Sequence, residues 1–510
     1  MSIVPTKLKK LITYILVAVA AALSVNLIVY SAKQCIVFRL PFAASLLTAW
    51  FLLFVIPQLF FVWYLYCRFQ KREIPKAKPG LLVDVFVTAF NEPMWMVQRA
   101  VNASMHITYP HRTYLLDDSH DSAYEGLAKN LGSAYLKRNG NRDYKAGNIN
   151  AALERTSGDF IAVFDIDHAP RPEFLDRTLG FFDDSLVGFV QVMETFCNSK
   201  ENLMAQASTQ TAMEYFNISL VCKDRIDAGS MHGTNAVIRR KALESIGGYQ
   251  PGLAEDLETS LSLHGHGWKS TYVCEPLAPG LSPATFNAFC KQQLKWSRGV
   301  FEAAWRSLYN GAFFRLTRSQ QLAYCVRFSY YIVGLSVLLG MVLTFFHLTV
   351  LEAGFYECLL ARLLPLTAAT MMIRWFMLRA WATEPDAKRG IQPKGTSLVF
   401  STWPIYLLSL VCTIARIPIP FMSTPKDSGS EINRWTILPQ IFMIVAMIAG
   451  IIWKIVHWQK SPAPFTLLTA LLLVGQQWIL FVLVWQSLRK PISGSDYDRI
   501  KKGGGPACSN

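Results

Sequence analysis

Uncharged apolar runs crowd the two ends of this 510-residue chain and leave its middle free, and that segregation constrains the fold more than any other feature. Residues 11–30 carry no charged side chain, and a second run, 40–67, follows almost at once. A helix of about 20 apolar residues spans a bilayer, so both read as transmembrane helices. Lys7, Lys9 and Lys10 ahead of the first run raise a signal peptide as the alternative, but no small-residue cleavage site leads into a soluble stretch. Five further runs follow the middle block, at 328–351, 358–379, 396–415, 435–453 and 461–488.

Charge tells which side is which. The chain is 52% hydrophobic and 17% charged, too apolar for an ordinary soluble enzyme. Its formal +15 raises nucleic acid, anionic lipid or an acidic substrate as partners. Residues 81–320 hold 23 Lys+Arg against 26 Asp+Glu, whereas the remainder holds 27 against 9. The excess therefore flanks the apolar runs, as basic residues do on the cytoplasmic side of a membrane, and no nucleic-acid partner is expected. Arg68, Lys71, Arg72, Lys76 and Lys78 mark that side after the second run; Arg489, Lys490, Arg499, Lys501 and Lys502 mark it again in the tail. With the middle block and both termini cytoplasmic, one of the five later runs does not cross. The candidates are 358–379, interrupted by Arg362 and Arg374, and 396–415, which contains Pro404; the second is expected to lie along the interface. The expected organisation is a two-span segment (1–80), a cytosolic domain (81–320), a four-span segment with an interface helix (321–490) and a flexible tail (491–510). Ten cysteines are scattered without zinc-ligand spacing and read as fillers of a reduced interior.

Within the middle block, β-rich runs such as 81–89 and 160–164 alternate with helical stretches such as 146–154, the pattern of a mainly parallel sheet with helices on both faces. Acids end two of its apolar strands, as Asp117-Asp118 and as Asp165-x-Asp167. Open α/β sheets bind ligands at such carboxyl ends, and a D-x-D pair suits Mg2+ or Mn2+ bridging to a diphosphate. A solvated strand end or a helix cap explains either acid taken alone. Thr88 and Glu92 stand where another strand breaks into Asn91-Glu92-Pro93. Lys145, beside Gly147, opens a helix and suits phosphate, although a lone lysine is usually a solvated charge. Ala254-Glu255-Asp256 starts a further helix, as a cap or as a catalytic base. Gln292-x-x-Lys295-Trp296, followed by Arg298, offers an indole face for a sugar and cations for a departing diphosphate.

In this order, and between membrane helices, these motifs resemble the processive family 2 membrane glycosyltransferases, with bacterial cellulose synthase catalytic subunits the nearest likeness. Phe421-Met422-Ser423-Thr424-Pro425-Lys426 is similar to that group's gating loop, so the resemblance covers about 40–490. It implies a glycosyltransferase A-type domain inserted in a helical bundle, and inverting polymerisation of a UDP-sugar on a growing polysaccharide that is passed across the membrane. Leu257-Glu258-Thr259 looks glucan-like and favours UDP-glucose and a β-glucan. By resemblance, Thr88, Glu92, Asp118 and Lys145 would contact the nucleotide, and Asp165 and Asp167 would hold the diphosphate with Mg2+ or Mn2+. Asp256 would be the base, beside Glu255 on the acceptor side, and Trp296 would stack on the acceptor sugar. Gln292 and Lys295 would border the diphosphate, while Phe421, Thr424 and Lys426 would close over bound donor.

Departures from the pattern matter. Ala254 replaces the usual threonine before Glu255-Asp256, Lys295 replaces an arginine and loses its bidentate fork, with Arg298 the candidate substitute, and Ser423 replaces a valine. The chain ends soon after its last apolar run, so control by a cyclic dinucleotide domain is not expected. Accessory export subunits or a homo-oligomer are compatible partners. The rival readings are a hyaluronan- or chitin-type synthase using a UDP-N-acetylhexosamine, and a non-catalytic membrane transport or scaffold protein.

Overall fold

The computed structural model describes residues 5–37, 55–119, 121–349, 354–418 and 436–489. Nine strands lie in the middle block: β1 (Val83–Ala89), β2 (Arg112–Asp117), β3 (Ala134–Lys137), β4 (Phe160–Asp165), β5 (Val187–Val192), β6 (Thr195–Phe196), β7 (Ala236–Arg239), β8 (Lys269–Val273) and β9 (Pro279–Gly280). Seven of them form one sheet in the order β3-β2-β1-β4-β7-β5-β8, and β6 pairs with β9 in a small ribbon. Only β7 runs antiparallel to its neighbours in the large sheet. The helices Met94–Met105, Ser122–Leu131 and Tyr144–Leu153 make the crossovers between the first four strands.

Central strands buried on both faces need near-continuous apolar sequence. In β4, Phe160, Ala162 and Phe164 pack with Val83 and Val85 on one face, while Ile161 and Val163 pack with Phe86 and Ile238 on the other. Register then fixes the strand ends. Thr88 lies opposite Asp165, and Ala89 opposite Asp117. The acids that sequence placed at strand ends therefore share one edge of the sheet.

Among the described residues, five helices are long and apolar enough to cross a membrane, or six if the bent pair described below is one span: Thr6–Lys33, Arg318–Thr349, Tyr356–Trp381, Leu438–Val456 and Pro464–Trp485. This is the build of a multi-pass membrane protein. Of the expected second run, 40–67, the described part is the apolar helix Ile56–Cys67. The 396–415 run falls in two helices, Pro393–Ser401 and Trp403–Ile414, bent by 41°. Pro404 occupies the first turn of the second helix, where its missing N–H costs nothing.

Contacts between the helices fall at two levels. At one end, Lys9 Nζ bonds the Ala380 carbonyl at 3.1 Å and Lys71 Nζ bonds Thr383 Oγ1 at 2.7 Å. At the other, Lys454 Nζ bonds the His347 carbonyl at 3.3 Å, and Glu357 accepts from the Phe465 backbone N–H at 2.9 Å. Leu438–Val456 thus runs parallel to Val333–Thr349. The bent pair meets the sheet domain: Gly395 N–H donates to Gln210 Oε1 at 3.1 Å and Tyr406 Oη to Gln293 Oε1 at 3.2 Å. One apolar cluster also joins the two parts, with Trp63 and Tyr66 from the N-terminal segment, Phe216 and Val221 from the sheet domain, and Met377 from the C-terminal bundle.

Candidate active site

The site is assembled on the carboxyl ends of β1, β2 and β4. Thr88 Oγ1 donates to Asp165 Oδ1 at 3.3 Å and to the Phe164 carbonyl at 3.4 Å, and Thr234 Oγ1 accepts from the Asp165 N–H at 3.0 Å. Lys145, in the first turn of its helix, donates to Asp165 Oδ1 and, at 2.6 Å, to the Gly233 carbonyl. Burial alone would lower the Lys145 pKa, but Asp165, Glu255 and Asp256 outweigh it and hold the ammonium above the usual lysine range.

Gly233 is the meeting point. It has φ +80°, and a Cβ there would stand 3.5 Å from Lys145 Nζ, 3.7 Å from Glu255 Oε1 and 3.8 Å from Asp256 Oδ2. Glycine is needed for the backbone conformation, and the point where a side chain would begin is bordered by the cation and the two acids. Asp256 caps no helix start. The Ala254 N-cap residue makes no side-chain cap, and Asp256 Oδ1 accepts from the N–H of its own neighbour Leu257 at 2.7 Å. Burial first, and Glu255 second, push the Asp256 carboxyl up to about 7. A carboxyl poised there can take a proton near neutral pH.

The helix Phe286–Tyr309 supplies the other wall. A Cβ on Gly299 would lie 2.8 Å from Ala254 Cβ and 2.9 Å from Ala254 N, so this helix sits directly against the start of the Asp256 helix. Trp296, one turn earlier, remains 42% exposed, as a stacking platform must. Gln292 and Lys295 are half-buried on the same helix. Arg298 is buried, its Nε bonded to Glu302 Oε1 at 2.6 Å. The Nη1 of the same guanidinium is buried and meets no partner among the described residues.

Asp118 is also engaged. Its two oxygens take Arg138 Nε at 2.7 Å and Nη2 at 2.9 Å, with both side chains nearly buried. Asp117 is satisfied by Ser119, Asp121 and Tyr135 and organises the loop. Phe421, Thr424 and Lys426 lie outside the described residues. Sequence reasoning missed Arg138, Gly233, Gly299 and Glu194. Glu194 is held well above the usual carboxyl range, by burial first and then by Asp165, Asp256 and Asp167. Glu92 rises to about 7 for the same leading reason, with Asp167 and Asp165 adding to it.

This excess of acid around one lysine fits a hard divalent cation. Among the described residues no three acidic, imidazole or thiol groups are placed to hold a metal ion by themselves.

Residues 79–299 match the family model described as glycosyltransferase-like family 2. That stretch is similar to family 2 glycosyltransferase domains. It is 33% identical over 231 residues to the cellulose synthase catalytic subunit (UDP-forming) of Xanthomonas axonopodis pv. citri, over 44% of this chain and 32% of that protein. Cellulose synthase 1 of Komagataeibacter xylinus is 32% identical over 43% of this chain and 15% of its own length. The matches thus span a third or less of these relatives. Among solved structures, the mannosyltransferase of Pyrobaculum calidifontis in complex with GDP-Man and Mn2+ aligns at TM-score 0.48 and 14% identity, covering 74% of this chain and 99% of that one.

Proposed function

We propose that the chain is a processive, inverting membrane glycosyltransferase that transfers sugar from UDP-glucose to a growing β-linked polysaccharide, a cellulose-like glucan, and passes the product between its spans. One observation carries the reading: Lys145, Glu255 and Asp256 converge around Gly233, beside the Asp165 carboxylate, at the edge of the sheet where open α/β sheets bind ligands. The names of the relatives, which are UDP-forming cellulose synthases, support the donor and product.

In the proposed reaction the acceptor hydroxyl attacks the anomeric carbon from the face opposite the diphosphate. The new C–O bond forms as the bond to the phosphate oxygen breaks, and an α-linked donor gives a β-linkage. Asp256 takes the hydroxyl proton. Lys145 counters the charge of Asp165, and Trp296 presents its face to the terminal acceptor sugar. Asp165 and Asp167 would hold Mg2+ or Mn2+, which supplies charge neutralisation for the departing UDP. Thr88, Glu92, Asp118 with Arg138, Gln292 and Lys295 are proposed to bind the donor, and the loop carrying Phe421, Thr424 and Lys426 to cover it.

The bundle contacts support an arrangement in which the bent pair stays on the side of the sheet domain. With the basic clusters on that side, the domain and both termini are proposed to be cytoplasmic. The test incubates membranes with single UDP-sugars and Mg2+ or Mn2+, then digests the polymer with linkage-specific glycosidases. Polymer made from UDP-glucose and cut by a β-glucanase is the expected result. Polymer made only from a UDP-N-acetylhexosamine would replace the donor, and no UDP release with any sugar would overturn the enzyme reading.

A further inference from the structure

Arg306 takes hold of the chain on both sides of Asp256. It lies on the helix Phe286–Tyr309, ten residues beyond Trp296 and so about 15 Å further along the axis. Its Nη1 donates to the Pro251 carbonyl at 2.9 Å and to Glu258 Oε2 at 2.7 Å. Pro251 precedes the Asp256 helix, Glu255–Gly265, and Glu258 sits in that helix's first turn. The loop is also closed onto the helix from within: the Gln250 N–H donates to Thr259 Oγ1 at 2.9 Å, and that hydroxyl donates to the Glu255 carbonyl. Asp256 therefore belongs to one tied unit of loop and helix, and a guanidinium from the facing helix fastens that unit at two points.

Gly252 makes the grip possible. Its φ is +150°, and a Cβ there would overlap Glu258 Oε1 and stand 3.5 Å from Arg306 Nη1. Glu258 is buried and its Oε1 meets no hydrogen-bond donor among the described residues, so Arg306 is the cation that holds the carboxylate. A buried ion pair adds little stability over apolar residues of the same volume. What a guanidinium adds is direction, since its donors lie in a fixed plane. Gly299 against Ala254 already sets how far apart the two helices stand. A second tie, two turns on at Arg306, sets how far one has slid along the other.

We infer that Arg306 is a positioning residue: through Pro251 and Glu258 it fixes the Asp256 carboxyl lengthwise against the helix that carries Trp296, and so sets where an acceptor hydroxyl meets its base. The inference rests on the transferase reading. It makes a particular demand of the chemistry. With the grip lost the donor still binds, but the sugar hydroxyl and the carboxyl no longer meet, and water attacks the anomeric carbon instead. The water oxygen bonds that carbon as UDP leaves, the water proton passes to Asp256 or to solvent, and free glucose is released in place of a longer chain.

The test uses the full chain in detergent. Arg306→Met combined with Glu258→Gln removes the pair without leaving a buried charge alone. It should lower the polymer-bound glucose made per UDP released by tenfold or more, with UDP affinity within twofold of the unmodified protein. Arg306→Lys, which keeps a cation at the same place, should retain at least half of that coupling. Unchanged coupling in the double variant overturns the inference. So does a fall in polymer matched by equal falls in UDP release and UDP affinity, the mark of a merely structural pair. A second readout needs no turnover. In a cysteine-free background, spin labels at His266, which caps the Asp256 helix, and at Lys291, on the facing helix, should change their mean separation by about 2 Å or more in the double variant, the size of a shift between packed helices. An unaltered separation overturns the inference as well. Altered spacing in a protein that releases no UDP from any UDP-sugar sinks the transferase reading alone, whereas turnover with unaltered spacing and coupling sinks the positioning role alone.

Discussion

Asp256 carries the most exposed wager at the scale of single residues. Its carboxyl is pushed up to about 7, chiefly by burial, so the ionised base is lost as pH falls through that value. The expected outcome is that kcat/KM for UDP release declines about tenfold per pH unit below 7, read from initial rates at subsaturating donor. A profile flat from pH 5 to 8 would remove Asp256 from the proton transfer. Asp256→Asn should cut turnover by about a thousandfold or more, since general-base catalysis contributes on the order of 10²–10⁴, with UDP binding by titration retained. Residues were legible in sequence where the chemistry is local. Asp165 and Asp167 follow an apolar strand directly, and Lys145 opens a helix, so pattern alone locates them. Arg138 was not legible, because its bidentate hold on Asp118 is made across the ends of β2 and β3. Gly233 was hidden for a similar reason: only the tertiary fold brings Lys145, Glu255 and Asp256 around it.

Two helices meet at the site almost without clearance. Gly299 on Phe286–Tyr309 leaves no room for a Cβ against Ala254, which gives the alanine in place of threonine at the head of the Asp256 helix a steric partner. Gly299→Ala should force the helices apart; overpacking of this kind costs ~1–3 kcal/mol. The expected result is a tenfold or greater fall in kcat with UDP affinity nearly unchanged, because the displaced groups, Trp296 and Asp256, are the ones proposed to face the acceptor. Unchanged kcat would show that the helix contact is slack. Sheet strands were readable from their runs of apolar residues, and β1, β2 and β4 fell where that pattern put them. The antiparallel β7 was beyond such a reading, since a four-residue strand carries too little periodicity to declare its direction.

For the molecule as a whole, the alternation of helix ends makes a topological prediction. Lys454 meets His347 at one end of the bundle, whereas Thr383 and Gly395 meet the sheet domain at the other. In a cysteine-free background, a cysteine at Asp386 should react with a membrane-impermeant maleimide from the same side as one at Lys129, and a cysteine at His457 from the opposite side. Identical sidedness for Asp386 and His457 would break the arrangement. Segregation of charge set the apolar ends apart from the middle block; it carried no trace of how the parts fit, because that fit rests on single side-chain bonds and one shared apolar cluster.

The shared cluster of Trp63, Tyr66, Phe216, Val221 and Met377 has a practical consequence for anyone wishing to handle the catalytic part by itself. What looks on paper like a boundary near residue 80 is a seam with a common filling. Cutting there strips Phe216 and Val221 of their covering, at roughly 1.5–3 kcal/mol for each large side chain returned to water. Residues 81–320 expressed alone should therefore aggregate unless detergent is supplied, which sedimentation will show. A monodisperse fragment in plain buffer would mean that the transferase owns its core outright; otherwise the bilayer-embedded helices are part of the enzyme's interior as much as its anchor.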